Sequence, residues 1–312
     1  MNDSLRFFCG SNNQALAHDI ATELNLNDGA IQLFKFSGGE SYAKIDETVR
    51  GLDCFILQSI GHYPNDDYME LFIIMDALKR ASARSINLII PHFAYGRQDK
   101  KSAPREPITA RLIADLLNAI GFDRLITMDL HSDQIQGFFS QPVDHLTALP
   151  LIAEYIRKKD LSNLVVVAPD AGRVKFSKRL ADRLNAGLAL MYKTRPQQQA
   201  AKITHVIGDL QDKTVLLVDD IIDTGGSVIS GIEALKDAGC KSVYLAATHA
   251  VFSGEAIARL KSADLAEVIV TNTIALNNTQ CFNNLTVLST ATLLAEAIRR
   301  NYEKRSISSL FN

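Results

Sequence analysis

Short apolar segments alternate along the chain with longer segments that have helical periodicity. The apolar segments are residues 31–36, 53–58, 86–91, 124–129, 164–168, 214–218, 242–247 and 267–271. Many of them are rich in Val, Ile and Leu without clean polar alternation, which is typical of strands buried on both faces of a parallel sheet. The pattern predicts an α/β protein built from βαβ units, with helices covering both faces of the sheet.

Two of the intervening helices can be placed from their own signals. The segment after Pro107 carries one apolar stripe and ends at Gly121. A second helix follows Gly226 and ends near Gly239. The stripe of the first helix consists of Ile108, Leu112, Ile113, Leu116, Leu117 and Ile120.

The same alternation occurs in each half of the chain, and a break is plausible near residues 145–150. We therefore expect two domains, residues 1–147 and 148–312, with a C-terminal helix that could pack back on the first half. A length of 312 residues suits two domains, although one large α/β domain would also fit it.

Composition narrows the range of functions. The formal net charge of -2 gives no sign of the basic surface of a nucleic-acid binder. The four cysteines form no C-x-x-C pair, so neither a zinc knuckle nor a redox motif is predicted, and free thiols fit a reducing compartment. Because the first residues lack the apolar core of a signal peptide and no apolar run reaches about 20 residues, we expect a cytoplasmic protein without a membrane partner.

The most informative segment is residues 214–230, which read TVLLVDDIIDTGGSVIS. A predicted strand ends in Asp219 and Asp220, and the loop after it leads into a helix. Glycines let backbone N–H groups approach an anion closely, and the start of a helix favours negative charge. The two carboxylates could hold ribose hydroxyls or a hydrated magnesium ion. The loop residues are Asp223, Thr224, Gly225, Gly226 and Ser227.

A capped turn is the alternative interpretation of this loop, because Asp, Thr, Gly and Ser are all common at helix starts. The complete arrangement of buried strand, acidic pair and loop favours a phosphate site, with the hydroxyls of Thr224 and Ser227 as donors. No G-x-x-x-x-G-K-[ST] sequence occurs, so ATP binding of the P-loop kind is not expected.

Segment 214–230 resembles the phosphoribosyl diphosphate motif of type I phosphoribosyltransferases and their pyrophosphokinase relatives. Further segments narrow the resemblance to the ribose-phosphate pyrophosphokinase family of bacteria and animals. They occur in the family's order over nearly the whole chain, which is more specific than any single motif. These segments are PHFAYGRQDKKSAPREPITAR at 91–111, MDLH at 128–131, QIQGFF at 134–139, PDAG at 169–172, KTRP at 193–196 and SISSLF at 306–311.

The resemblance implies two similar phosphoribosyltransferase-like domains, each a largely parallel sheet flanked by helices. It implies transfer of the diphosphoryl group of ATP to C1 of ribose 5-phosphate, giving AMP and phosphoribosyl diphosphate. The first half would bind ATP and carry a flexible catalytic loop, and the second half would bind ribose 5-phosphate.

Site residues follow from the same resemblance. Lys193 and Arg195 would stabilise the charge that develops during diphosphoryl transfer, although alone they would be ordinary surface cations. Arg195 and the 219–227 segment would contact ribose 5-phosphate. Magnesium would be held by His131 and Asp170; because Mg²⁺ prefers oxygen ligands, the assignment of His131 depends on the resemblance alone. The expected ATP contacts are Phe36, Gly38, Gly39, Glu40, Arg97 and Gln98, and the expected loop cations are Arg97, Lys100, Lys101 and Arg105.

Two positions depart from the family pattern. The family usually has Asp or Asn where this chain has Gly38, so a side chain that contacts the base is missing. The family usually has Asp-x-Gly-Gly where this chain has Asp170-Ala171-Gly172-Arg173. The first departure concerns nucleotide recognition, and the second concerns the sugar-phosphate side of the pocket or its metal.

Two other functions are considered. A non-catalytic regulatory homologue would bind nucleotides and partner subunits, but such proteins tend to lose the flexible loop or the acidic motif, and both are intact here. A phosphoribosyltransferase would not need the Arg97–Gln98 segment or the two-half length. The resemblance also implies a homo-oligomer, a hexamer assembled from dimers, with phosphate as activator and ADP as inhibitor. An interface phosphate site could involve Arg50, Ser82, Arg84, Ser308 and Ser309.

Overall fold

The computed structural model describes residues 4–197 and 200–310, apart from the side chains of residues 193–204. The chain forms two compact units. The first comprises Met1–Thr147, Thr273–Ala275 and Ser289–Asn312, and the second comprises Ala148–Asn272 and Leu276–Leu288.

The first unit contains a parallel sheet and a separate antiparallel hairpin. Its strands are β1 Leu5–Cys9, β2 Ile31–Lys35, β3 Ser41–Ile45, β4 Asp53–Leu57, β5 Ser85–Ile90, β6 Arg124–Met128 and β7 Val143–Leu146. The sheet has the order β1-β4-β5-β6-β7, and β2 pairs with β3. The helices before residue 147 are α1 Gln14–Leu24, α2 Pro64–Arg80 and α3 Thr109–Ile120.

The second unit contains a larger sheet with the order β10-β9-β8-β11-β12-β13-β14. Every neighbouring pair is parallel except β9 and β10. The strands are β8 Leu164–Ala168, β9 Gly187–Gln197, β10 Ala200–Ile207, β11 Thr214–Ile222, β12 Ser242–Ala250, β13 Glu267–Thr271 and β14 Leu285–Leu288. The helices are α4 Leu149–Arg157, α5 Val174–Leu184, α6 Gly226–Asp237 and α7 Ala256–Ser262.

The last long helix, α8 Ala291–Tyr302, belongs to the first unit and packs against α1. Its Arg299 Nη2 donates a 2.7 Å hydrogen bond to the Glu23 carbonyl oxygen. The end of the chain thus contributes to the unit that contains its beginning.

The predicted α/β architecture is confirmed, and each predicted apolar segment forms a strand. Ile56, Leu88 and Leu217 are almost fully buried in the central strands β4, β5 and β11. Strands covered on both faces need continuous apolar sequence, which explains why these strands could be predicted from the sequence.

Two details of the strand prediction are wrong. Segment 31–36 is no buried parallel strand, because its residues pair only with β3 in the hairpin and lie partly exposed. Strand β11 continues past the acidic pair to Ile222, whose side chain is fully buried. Pairing with β12 extends that far, so Asp219 and Asp220 lie within the strand rather than at its end.

The two predicted helices are also found, as α3 and α6. Gly121 and Gly239 follow them with φ of 96° and 81°, the left-handed region that favours glycine. The buried face of α3 is narrower than the predicted stripe, because Leu112 and Leu116 are 53% and 41% exposed.

A polar cluster inside the second unit ties α4 to the edge of the sheet. The Glu267 carboxylate accepts hydrogen bonds from the Tyr155 hydroxyl at 2.5 Å and from Thr286 Oγ1 at 2.6 Å, and Lys159 Nζ lies 2.9 Å away. Burial acts to raise the pKa of Glu267, but these hydrogen bonds and the lysine charge outweigh it and hold the pKa below the ordinary value of 4.5.

The four cysteines are free thiols, as predicted, and only Cys281 is exposed. Burial raises the pKa of Cys9 and Cys54 to about 12. In the described part of the chain, no helix has both the length and the apolar character that crossing a bilayer requires.

Candidate active site

The acidic pair of β11 lies next to Arg173. The Arg173 guanidinium forms an ion pair with Asp220 through Nη2, and its Nε lies 3.4 Å from Asp219 Oδ1. Asp219 Oδ1 also accepts a 2.9 Å hydrogen bond from the Asp220 N–H. Burial and the neighbouring Asp220 carboxylate raise the pKa of Asp219 well above its ordinary value, while the charge of Arg173 acts in the opposite direction.

The loop after β11 has the form of an anion site. Gly225 precedes the first residue of α6 with φ 74° and ψ −6°, a left-handed conformation that glycine adopts without strain. Because the first N–H groups of a helix lack intrahelical acceptors, the start of α6 presents donors to this loop. A Cβ placed on Gly226 would come no closer than 3.5 Å to Arg259 Nη1, so packing within the protein does not require glycine there.

Two residues after β12 hold the loop in place. Ser253 donates its backbone N–H to the Asp223 carbonyl at 3.1 Å and its hydroxyl to the Asp223 carboxylate. Arg259 Nη1 donates a 2.9 Å hydrogen bond to the Thr224 carbonyl. Neither residue was predicted from the sequence. Their only signal was position, since they follow the strand that neighbours β11 in the sheet.

Asp170 lies close to the acidic pair because β8 and β11 are adjacent parallel strands. It follows β8 and precedes the short 3-10 helix Ala171–Arg173. Its Oδ1 accepts a 3.3 Å hydrogen bond from the Arg173 N–H. Arg173 thus contacts three predicted site carboxylates of the second unit, Asp170 through its backbone N–H and Asp219 and Asp220 through its guanidinium.

Lys193 and Arg195 lie within the backbone range of β9, which is the next strand after β8 in the sheet. Their side chains lie outside the described residues. The roles expected for these two cations therefore stay predictions.

In the first unit, Arg97, Gln98 and His131 follow two adjacent parallel strands, β5 and β6. Arg97 and Gln98 form part of the 3-10 helix Gly96–Gln98, and both are exposed. A Cβ placed on Gly96 would lie 3.5 Å from the His131 Cβ, which shows how closely these two segments approach. Thr109 Oγ1 donates a 2.5 Å hydrogen bond to Gln98 Oε1, so Gln98 is tied to the start of α3.

A second histidine positions the segment that carries His131. The Leu130 N–H donates a 2.8 Å hydrogen bond to His145 Nε2, and Asp133 Oδ1 lies 3.6 Å from His145 Nδ1. Asp129, just before Leu130, has a left-handed φ of 35°. His145 lies on β7 beside β6 and was not predicted from the sequence.

In the predicted catalytic loop, the Glu106 side chain bonds to the backbone of two preceding loop residues. The Glu106 carboxylate accepts hydrogen bonds of 2.8 Å from the N–H groups of both Ser102 and Ala103. The loop cations Lys100, Lys101 and Arg105 are exposed.

The hairpin loop between β2 and β3 carries the other expected ATP contacts. Phe36 N–H bonds to the Glu40 carbonyl at 2.9 Å, and Gly39 has φ 90°. The Phe36 ring is 48% exposed and lies edge-on to Phe34 at 5.2 Å between centroids. A Cβ on Gly38 would meet no described atom within 4 Å.

A protein-built metal cage is not found: among the described residues, no three His, Cys, Asp or Glu side chains form a group that could hold an ion. Magnesium bound to nucleotide phosphates usually takes only one or two carboxylates from the protein. Asp170 could be such a carboxylate ligand, because the hydrogen bond from the Arg173 N–H goes to only one of its two oxygens.

Comparison with known proteins covers almost the whole chain. Residues 5–121 match the N-terminal domain of ribose phosphate pyrophosphokinase, and residues 192–312 match the phosphoribosyl synthetase-associated domain. Ribose-phosphate pyrophosphokinases of Clostridium tetani and Bacillus caldolyticus are each 45% identical to this chain. Each match covers 99% of this chain and 98% of the relative. The chain belongs to the ribose-phosphate pyrophosphokinase family.

A solved structure of the family has the same fold. The phosphoribosylpyrophosphate synthetase from Mycobacterium smegmatis has a TM-score of 0.92 and 45% identity, over 97% of this chain and 100% of that one. The family resemblance stated from the motifs is thereby confirmed, and so is the fold class of two helix-flanked, largely parallel sheets.

Proposed function

We infer that this chain transfers the diphosphoryl group of ATP to C1 of ribose 5-phosphate, giving AMP and 5-phosphoribosyl 1-diphosphate. The observation that carries this function is 45% identity to ribose-phosphate pyrophosphokinases over essentially the full length of both chains. Nothing in the comparisons supports the alternative of a non-catalytic regulatory homologue.

The second unit is proposed to bind ribose 5-phosphate. The 5-phosphate would lie on the loop of Asp223, Thr224, Gly225, Gly226 and Ser227, with the first N–H groups of α6 and the hydroxyls of Thr224 and Ser227 as donors. Supporting this, the hydrogen bonds from Ser253 and Arg259 fix the loop before a ligand arrives. Preorganised donors bind an anion without the cost of ordering a loop.

The cations of the site are proposed to act on the transferring group. As C1–O attacks the β-phosphorus and AMP leaves, negative charge grows on the phosphate oxygens, and fixed positive charge stabilises it. Lys193 and Arg195 are proposed to supply that charge, with Arg195 also contacting substrate. The exposed loop cations Lys100, Lys101 and Arg105 would close over the site.

The first unit is proposed to bind ATP. Arg97 and Gln98 would contact the nucleotide at the end of β5, and the half-exposed ring of Phe36 offers a face for stacking on the purine. Gly38, Gly39 and Glu40 complete the proposed contacts in the hairpin loop.

Magnesium is the proposed cofactor, with His131 and Asp170 as the residues that would hold it. When bound, the ion would neutralise charge on the polyphosphate. On the protein side, the Asp170 carboxylate oxygen is a preferred ligand type, whereas the His131 nitrogen is not.

Assembly and regulation are proposed from the family resemblance alone. We propose a homohexamer built from dimers, activation by phosphate and inhibition by ADP, in the cytoplasm. Analytical ultracentrifugation with and without phosphate tests the assembly, and initial rates over a range of ADP concentrations test the inhibition.

The activity test uses the intact protein with ATP, Mg²⁺ and ribose 5-phosphate. Formation of AMP that depends on the sugar phosphate is expected. A regulatory homologue would give no AMP, and a phosphoribosyltransferase would instead consume phosphoribosyl diphosphate in the presence of a base.

A further inference from the structure

Arg173 places a positive charge inside the sugar-phosphate site. Its side chain is only 13% exposed, and it is shared between Asp220, which is 4% exposed, and Asp219, which is 23% exposed. Its N–H also bonds to the carbonyl and Oδ1 of Asp170, so the backbone is fixed at the point where the side chain departs. The guanidinium is therefore part of a built arrangement rather than a solvated surface charge.

The charges of this cluster require a partner. Two adjacent carboxylates removed from water repel each other, and each is costly to bury without a counter-charge. A guanidinium offers five N–H donors in a planar fork that matches carboxylate oxygens, and it carries no acceptor for a metal. A cation that satisfies the pair in this way also repels a second cation.

A divalent ion would bind the same carboxylates less favourably than the guanidinium does. Mg²⁺ and Mn²⁺ favour oxygen ligands, and Mg²⁺ requires near-octahedral geometry. To reach Asp219 Oδ1 and Asp220 Oδ2, either ion would have to displace the guanidinium that now contacts both atoms. The sequence alone left open whether the pair holds ribose hydroxyls or a hydrated metal ion, and the contact with Arg173 favours ribose hydroxyls.

We propose that Arg173 takes the place of a divalent cation at the Asp219–Asp220 pair, so that this pair binds no metal ion in this chain. The proposal deepens the proposed function and depends on it only for calling the site a sugar-phosphate pocket. The oxygens of the pair that Arg173 does not engage then face ribose hydroxyls directly.

The test is a titration of the nucleotide-free full-length protein with Mn²⁺, in which electron paramagnetic resonance measures the Mn²⁺ that remains free. Arg173→Met removes the charge and keeps an apolar stem, and it should create an additional Mn²⁺ site at least about tenfold tighter than any seen in the wild type, because a repelling charge a few ångströms away is gone. Arg173→Lys keeps the charge and should resemble the wild type. Adding Asp219→Asn to Arg173→Met should abolish the new site.

Identical Mn²⁺ titrations for the wild type and Arg173→Met would overturn the proposal, as would a tight wild-type site that Asp219→Asn removes. If Arg173→Met does not fold, as judged by thermal unfolding, Arg173→Gly serves in its place because the family usually has glycine there. AMP formation is measured in parallel. Its absence would refute the proposed function and leave the Mn²⁺ result standing.

Discussion

At position 38 the hairpin loop carries a glycine, and open space surrounds the point where a side chain would begin. A new side chain can therefore be tested without repacking. Gly38→Asp should restore an acceptor for the adenine amino group, worth about 1.5–3 kcal/mol or roughly 10- to 100-fold in affinity. We expect kcat/KM for ATP relative to GTP to rise by up to that factor.

Gly38→Ala is the matched control for this prediction, since it adds bulk without an acceptor and should leave the ratio unchanged. If Gly38→Asp also leaves the ratio of specificity constants unchanged, position 38 does not face the purine and another group recognises the base.

Lys193 provides the second test at the scale of a single residue. Its proposed charge acts on the transition state more than on the bound substrate, so Lys193→Ala should lower kcat by about 100-fold or more while changing ribose 5-phosphate affinity much less. Steady-state kinetics and calorimetric binding separate the two effects, and Lys193→Arg should recover part of the rate. Near-normal turnover in a folded Lys193→Ala variant would remove this residue from the catalytic group.

How well single residues could be predicted depends on whether their signal lies in one segment. Asp219, Asp220 and the 223–227 loop are contiguous, so a site could be predicted from this one segment. Ser253 follows the neighbouring strand β12 and Arg259 lies in the helix α7 after it, and only the sheet order brings them to the loop. The contact of Arg173 with the acidic pair likewise joins two distant segments. The sequence showed that arginine replaces the family's usual glycine at position 173, but not that its side chain pairs with Asp219 and Asp220.

The loop between β11 and α6 acts as one element, and its two glycines should differ in effect. Gly226→Val should weaken ribose 5-phosphate binding strongly, because a side chain would project where the phosphate approaches, and leave ATP binding largely intact. The surrounding protein atoms leave room for a Cβ at Gly226, so the free energy of unfolding should change by less than about 1 kcal/mol.

Gly225→Val is the matched comparison. With φ at 74°, a residue with a Cβ should cost about 1–2 kcal/mol of stability in urea unfolding. Equal loss of ATP and ribose 5-phosphate binding in a normally folded Gly226→Val protein would mean that the pocket is mapped wrongly.

The contact between α4 and the sheet edge predicts a pH dependence of stability. The pKa of Glu267 is lowered in the folded protein, so its contribution is fully present above the ordinary value of 4.5 and is lost as pH falls through the lowered value. Tyr155→Phe should reduce the unfolding free energy at pH 7 by about 1.5–3 kcal/mol, since a hydrogen bond to a charged group is removed.

Glu267→Gln should flatten the acid side of the stability curve, because no carboxylate remains to be protonated at this point. Urea unfolding at pH values from 7 down to about 3 measures both effects. A wild type and a Glu267→Gln variant that lose stability in parallel below pH 5 would contradict the role given to this cluster.

Element prediction succeeded where burial imposes a simple pattern. A strand covered on both faces, such as β8, is a continuous apolar run, and α6 is bounded by glycines. The hairpin β2–β3 was mistaken for a buried strand because its aromatic residues pack on one another rather than in a core. The end of β11 was placed too early because acidic residues are rare inside strands, yet the ladder with β12 continues through them.

At the scale of the whole molecule, two units each present carboxyl ends of parallel strands with polar side chains. Ligand sites of open α/β sheets lie at such edges. In one unit the edge carries Arg97, Gln98 and His131, and in the other it carries Asp170 and the acidic pair. The collinear motifs predicted this order along the chain, whereas the contribution of α8 to the first unit involves contacts 276 and 269 residues apart in sequence.

The central claim is diphosphoryl transfer, in which the sugar hydroxyl attacks the β-phosphorus of ATP. Product analysis of the intact protein with ATP, Mg²⁺ and ribose 5-phosphate, by anion-exchange chromatography and ³¹P NMR, tests it most directly. We predict one AMP and one phosphoribosyl diphosphate for each ATP consumed, with no AMP when the sugar phosphate is omitted. ADP and a ribose bisphosphate as the products would show attack at the γ-phosphorus and would contradict the account.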